Sequence, residues 1–251
     1  MITTKALHAF QQKMIYFGDD LDLVDFLSGV VQSGKLSNST DTTIFTGLNS
    51  EKYSRLGRRR NSCGSRKLLM THLKQSIYAS YIKDVYEEVS VYLRTILTNY
   101  FSCNIDCTRL IGEHNIQLAA QQLIALGNWD NVCRYVAESI YQTLENERST
   151  QALLMKMQKK IGISISKDTL DNALPYLQIR HVLVHCDGKM DDCFVAKNPS
   201  FNHDGNNNVK LDYNFITEFQ EKITKLITEF DAKIIEKGCL KNCYLKGGRS
   251  E

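Results

Sequence analysis

Residues that interrupt helices are scarce in this chain. Two prolines and 14 glycines occur in 251 residues, beside long runs of Leu, Ile, Lys, Gln and Glu. That balance points to a mostly helical, all-α protein. No apolar run reaches 18 residues, so no membrane span is expected. The N-terminal segment lacks an uninterrupted apolar stretch, because Gln11, Gln12 and Lys13 break it, and a signal peptide is not expected. No Cys-x-x-Cys pair and no His-Glu-x-x-His occurs, so the commonest zinc frames are missing. A strong charge bias is missing too: the formal net charge of +3 does not by itself announce a nucleic-acid partner. Cysteine, in contrast, is present eight times. In a long, helical chain without a visible leader these read as reduced thiols, and the expected location is cytoplasmic.

Hydrophobic spacing sets out the elements. Residues 4–33 read as one or two amphipathic helices with a break at Gly18-Asp19-Asp20. Residues 34–66, rich in Ser, Thr, Asn and Gly, read as a long loop. It ends in a run at 55–67 with six basic residues and no acid. A long helix is expected over 67–101, with a stripe through Leu69, Leu73, Ile77, Tyr81 and Val85. Further helices are expected over 108–126, 129–147 and 149–161. Another helix follows, capped by Ser166 or Asp168, and Pro175 should kink or restart it. Residues 186–211 read as loop, and 213–237 as a closing amphipathic helix. Trp129 and the tyrosines at 78, 81, 86, 92 and 100 read as core. The expected organisation is a helical extension and polar loop over 1–66, a bundle over 67–240 and a flexible tail over 241–251.

The chemistry-bearing segment is Tyr-Leu-Gln-Ile-Arg-His-Val-Leu-Val-His-Cys-Asp-Gly-Lys-Met-Asp-Asp, residues 176–192. On a helix at about 100° per residue, Arg180, His181 and His185 share one arc, while Val182 and Leu183 point to a core. A permanent cation then stands beside two groups that titrate near neutral pH. That set suits RNA cleavage without metal. Imidazoles take the proton from the 2′-hydroxyl and give one to the 5′-oxygen, and a guanidinium holds the charged phosphorane.

These residues resemble the Arg-polar-x3-His signature of the HEPN superfamily, with Arg180, His181 and His185 matching position by position. The following Cys-Asp-Gly-Lys-Met-Asp-Asp resembles the continuation found in stand-alone prokaryotic HEPN nucleases. The resemblance extends to the order of helices from 67–101 to 213–237 and leaves residues 1–66 uncovered. It implies an antiparallel helical bundle and a homodimer with the motif at its interface. It further implies a metal-independent endoribonuclease of the toxin or antiviral abortive-infection kind, acting on single-stranded RNA or tRNA loops and leaving 2′,3′-cyclic phosphate ends. His185 would be general acid or base, Arg180 would hold the scissile phosphate, and His181 would orient or assist. No cofactor or metal is implied. Some relatives are silenced by modification of a Tyr two residues after the motif His; here that position is Asp187, so that form of antitoxin control is not expected.

Other readings compete. The same bundle is read alternatively as a regulatory module that clasps RNA or a nucleotide without cutting it. His181 and His185 also have helical zinc-ligand spacing, with Cys186, Cys193 or His203 to complete a set. Arg58, Arg59 and Arg60 are candidates for the RNA backbone, against a plain solvated loop. Glu87 and Glu88 are candidates to face the motif and pair with Arg180, with Lys83 and Asp84 comparable. Residues 1–66 are a candidate sensor under a host-defence reading, with a regulatory or antitoxin partner.

Overall fold

The computed structural model describes residues 2–103, 111–112, 116–147, 149–199 and 201–247. The protein is all-α. Its helices are α1 (Lys5–Gln32), α2 (Ser54–Gly57), α3 (Cys63–Phe101), α4 (Ala120–Leu126), α5 (Trp129–Glu145), α6 (Thr150–Ile161), α7 (Lys167–His185), α8 (Asp192–Lys197) and α9 (Tyr213–Glu236). A 3-10 turn follows at Asn242–Tyr244. Extended pairing among the described residues is confined to isolated bridges, such as Thr4 with Leu245 and Thr43 with Arg60. Among the described residues no helix is long and apolar enough to cross a membrane.

Contacts divide the chain into two units, and the division does not fall at residue 66. One unit holds Met1–Met14, Asp84–Gly188 and Glu218–Glu251; the other holds Ile15–Lys83 and Lys189–Thr217. Helices α1, α3 and α9 each contribute to both units.

The first unit is built on aromatic and aliphatic packing. Phe10 meets Tyr92 edge to face with centroids 6.4 Å apart, and Tyr92 meets Phe230 in the same way at 6.3 Å. Around them Leu7, Ile96, Ile140, Met157, Leu177 and Phe219 are buried. Inside this apolar surround sits a carboxyl, Asp231, only 1% exposed. Thr4 donates to it from its backbone N–H at 3.0 Å and its hydroxyl at 2.5 Å, and the Tyr92 hydroxyl donates at 3.1 Å. Burial pushes the Asp231 carboxyl above its ordinary value even though these bonds favour the ionised form. Within the segment expected as a tail, Lys246 N–H donates to Thr3 O at 2.9 Å. Residues 248–251 lie outside the described residues.

The second unit pairs the later part of α1 with the first part of α3. Val31, Ile44 and Met70 form one buried cluster, Lys74 bonds Asp25 at 2.5 Å, and Phe17 packs edge to face on Tyr81 at 6.0 Å. The polar segment between them is pinned rather than loose. Asn61 donates to the carbonyls of Asn38 and Asp41, each at 3.2 Å, and accepts from Arg66 at 2.5 Å.

Several local expectations change. Gly18 does not break α1, because Met14, Leu21 and Val31 bury one continuous face and the cost of one helical glycine is only about 1 kcal/mol. Helix α3 starts at Cys63, and α2 and α8 form within segments expected to be loop. The helix expected over 108–126 is described only for Ala120–Leu126; residues 108–110 and 113–115 lie outside the described residues. Trp129 and Leu73 are exposed, not core.

Candidate functional site

Helix α7 carries the Arg-His-x3-His segment and is held at both ends. At its start Ser166 accepts from Thr169 N–H at 3.3 Å, a side-chain cap of the usual kind. Glu229 then binds three donors of this cap: Ser166 N–H at 2.7 Å, Thr169 Oγ1 at 2.5 Å and Ser166 Oγ at 3.1 Å. Burial raises the Glu229 carboxyl, but these hydrogen bonds outweigh it and hold the group below its ordinary value. Further along, Ala173, Leu174, Leu177, Ile179 and Val182 are buried. Tyr176 donates to Glu218 at 2.8 Å and packs edge to face on Phe219 at 6.3 Å.

Pro175 lies inside this helix without ending it. Proline in a helix interior costs about 3 kcal/mol; the buried row on either side of it and the capped start offset that cost.

The helix ends where the motif ends. Cys186 N–H and Gly188 N–H both donate to Val182 O at 3.0 Å. Asp187 and Gly188 take positive φ, 50° and 79°. The two left-handed residues turn the chain away directly after His185 and satisfy a carbonyl of the last turn, as helix C-termini require.

With one face of α7 buried, the opposite arc presents the chemistry. His181 and His185 are both exposed, with ring centroids 4.8 Å apart and planes tilted by 43°. Arg180 is half-buried. Its guanidinium lies over the Tyr86 ring, 5.0 Å from the centroid, and 3.8 Å from Glu87 Oε1. The Tyr86 platform desolvates one face of the cation and fixes its plane. Glu87 is 67% exposed at its side chain, so its pairing with Arg180 supplies little energy, under about 1 kcal/mol; it sets direction instead.

The other candidates fall as follows. Glu88 pairs with Lys13 at 3.8 Å and not with Arg180. Arg58, Arg59 and Arg60 belong to the other unit; Arg58 and Arg60 are exposed and Arg59 is half-buried. Arg66, in the same basic run, is taken up by Asn61. Among the described residues no group of three or more His, Cys, Asp or Glu is placed to hold a metal ion. Of the residues weighed for zinc, Cys193 and His203 lie in the other unit from His181 and His185. A groove of about 350 Å³ lies beside the start of α7, lined by Leu154, Gln158, Ile165 and Lys167 among others, and includes none of Arg180, His181 and His185.

Sequence reasoning missed two contributors. Tyr86 was grouped with core tyrosines, yet it is the platform for Arg180; adjacency to Glu87 was the sole hint. Glu229 sits 60 residues from Thr169, and no local pattern joins them. Comparison of the chain with protein-family models, curated proteins and solved structures returned no match.

Proposed function

We propose that this protein is a metal-independent endoribonuclease of the HEPN type, with Arg180, His181 and His185 as its working groups. The observation that carries the reading is the open arc of α7, where two imidazoles have ring centroids 4.8 Å apart and His181 directly follows an arginine held on an aromatic platform. One imidazole removes the proton of a ribose 2′-hydroxyl. Oxygen attacks phosphorus, the bond to the 5′-oxygen breaks, and an acid returns a proton to that oxygen. The products are a 2′,3′-cyclic phosphate and a 5′-hydroxyl. Arg180 offers its fork to the phosphate oxygens as negative charge builds. His185 is the group assigned to proton transfer, and His181 orients or assists. In keeping with the resemblance, the substrate is single-stranded RNA or a tRNA loop, a second copy of the chain brings its own α7 to the cleft, and the biological setting is a cytoplasmic toxin or antiviral effector under the control of a partner.

Labelled RNA incubated with the protein in EDTA tests this. Cleavage with cyclic-phosphate ends, absent from His185→Ala, is the expected result. Activity that needs an added divalent metal sinks the reading.

A second reading is a clasp that binds RNA or a nucleotide without cutting. The engagement of Arg180 by Tyr86 and Glu87 favours it, since a cation already oriented is suited to gripping phosphate. Equal RNA binding by wild type and His185→Ala, with no change in RNA length, would select it.

A further inference from the structure

Helix α1 is apolar on two opposite faces over its second half. One face carries Leu21 and Val31, with the small Ser28 between them, and is buried. The other carries Ile15, Tyr16, Leu23, Phe26 and Leu27, exposed at 55%, 64%, 54%, 68% and 39%. At about 100° per residue these five fall within an arc of about 120°, and at about 1.5 Å per residue they span about 18 Å. A surface helix of a globular domain normally shows one apolar stripe and one polar face. Large exposed apolar groups gathered on one face mark an interaction surface, here as two groups, Ile15 with Tyr16 and Leu23 with Phe26 and Leu27.

The charge around this stripe has one sign. Between Lys13 and Lys35 the helix and its end contain Asp19, Asp20, Asp22 and Asp25 and no basic residue. Asp25 is taken by Lys74 and Asp22 accepts from Tyr213. Asp19 lies within the stripe's arc and Asp20 at its edge. Both are exposed, and neither forms an ion pair among the described residues. The chain as a whole carries +3, so this acidity is local.

We propose that the Ile15–Leu27 face of α1 is a docking site for an amphipathic helix of a partner protein, with apolar side chains along its contact row and Lys or Arg on the flanks. The stripe supplies the buried row that helix-in-groove and helix-on-helix recognition uses. Asp20, at the edge of the stripe, selects the sign of the flank, and Asp19, between the two apolar groups, favours a Lys or Arg reaching in from it. The same charges oppose a second copy laid along this face, which would set one aspartate row against another.

The test uses the full chain and two synthetic helical peptides of one pattern, Leu with Lys and Leu with Glu, titrated by calorimetry. The Leu–Lys peptide is expected to bind at least tenfold tighter than the Leu–Glu peptide, and its affinity to fall with salt. Phe26→Ser, at an exposed position that leaves the melting temperature unchanged, is expected to remove binding. Asp19→Asn with Asp20→Asn is expected to erase the preference between the peptides while weaker binding remains. Equal binding of both peptides, or Leu–Lys binding unchanged in Phe26→Ser, overturns the proposal. So does a mass by ultracentrifugation that falls in Phe26→Ser, because a second copy then covers the face. None of these readouts depends on RNA cleavage.

Discussion

The guanidinium of Arg180 rests on the ring of Tyr86, 5.0 Å from its centroid. The contact joins α7 to α3 and orients the cation without closing it off. Replacing Arg180 by Ala is expected to lower RNA cleavage by about 10²–10³-fold. Arg180→Lys should fall between Ala and wild type, because it keeps the charge but loses the plane that lies on the ring. Tyr86→Leu tests the platform separately: cleavage should drop while the fold holds. Initial rates on one labelled RNA, with circular dichroism as control, check all three.

His185 and His181 are expected to differ in weight. Removing His185 should cost about 10²–10⁴-fold, the usual contribution of a proton-transfer group, and His181→Ala less. Single-turnover rates separate the two. If both variants cleave at the wild-type rate, α7 is not the site of chemistry.

Asp231 links stability to pH in one direction. Its carboxyl is raised by burial, so the folded state holds the proton more tightly than the unfolded state. That contribution is in full force below about pH 4 and fades as pH rises through the folded value. Urea unfolding across this range should show wild type losing stability toward neutral pH, with a flatter profile for Asp231→Asn. Asp231→Ala should cost about 3 kcal/mol, since Thr4 N–H and the Tyr92 hydroxyl lose their acceptor inside the core.

Glu229 works with the opposite sign. Its carboxyl is held low by the Ser166 and Thr169 donors. Its contribution is therefore present above the unfolded value, about 4.3, and is lost as pH falls through the folded one. Glu229→Gln should lower stability at neutral pH by about 1–2 kcal/mol and much less at acid pH. Chemical denaturation at two pH values checks this.

Gly188 ends α7 at φ 79°. A Cβ there would meet only Leu183 Cδ2 at 4.0 Å, so Gly188→Ala creates no clash and its cost is conformational, about 1 kcal/mol. A shift in the unfolding midpoint with unchanged slope is the expected outcome.

Most helices could be read from hydrophobic spacing, because their buried rows are regular: Phe215, Phe219, Ile223, Leu226 and Phe230 on α9 are all buried. The breaks were harder. Gly18 and Pro175 carry local penalties of about 1 and 3 kcal/mol, and burial of neighbouring side chains outweighed both. The segment 34–66 read as a long loop because much of its order comes from side-chain bonds of Asn61 and Asp41, which leave no periodic trace. At the candidate site, the Arg-His-x3-His spacing placed three groups on one arc. It was silent on Tyr86 and Glu229, which reach α7 from distant parts of the chain. The exposed side of α1 was hidden for another reason: residues 4–33 read as amphipathic helix, and spacing alone does not say which apolar residues stay exposed.

Two imidazoles one helical turn apart, with ring centroids 4.8 Å apart, also have the spacing of a two-toothed chelator. Soft and borderline ions such as copper, nickel and zinc favour imidazole nitrogen. Protein eluted from a nickel resin is therefore expected to carry metal on His181 and His185, and under the proposed function it should then read as inactive. A chelator is then expected to restore RNA cleavage, the reverse of its effect on a nuclease that needs magnesium.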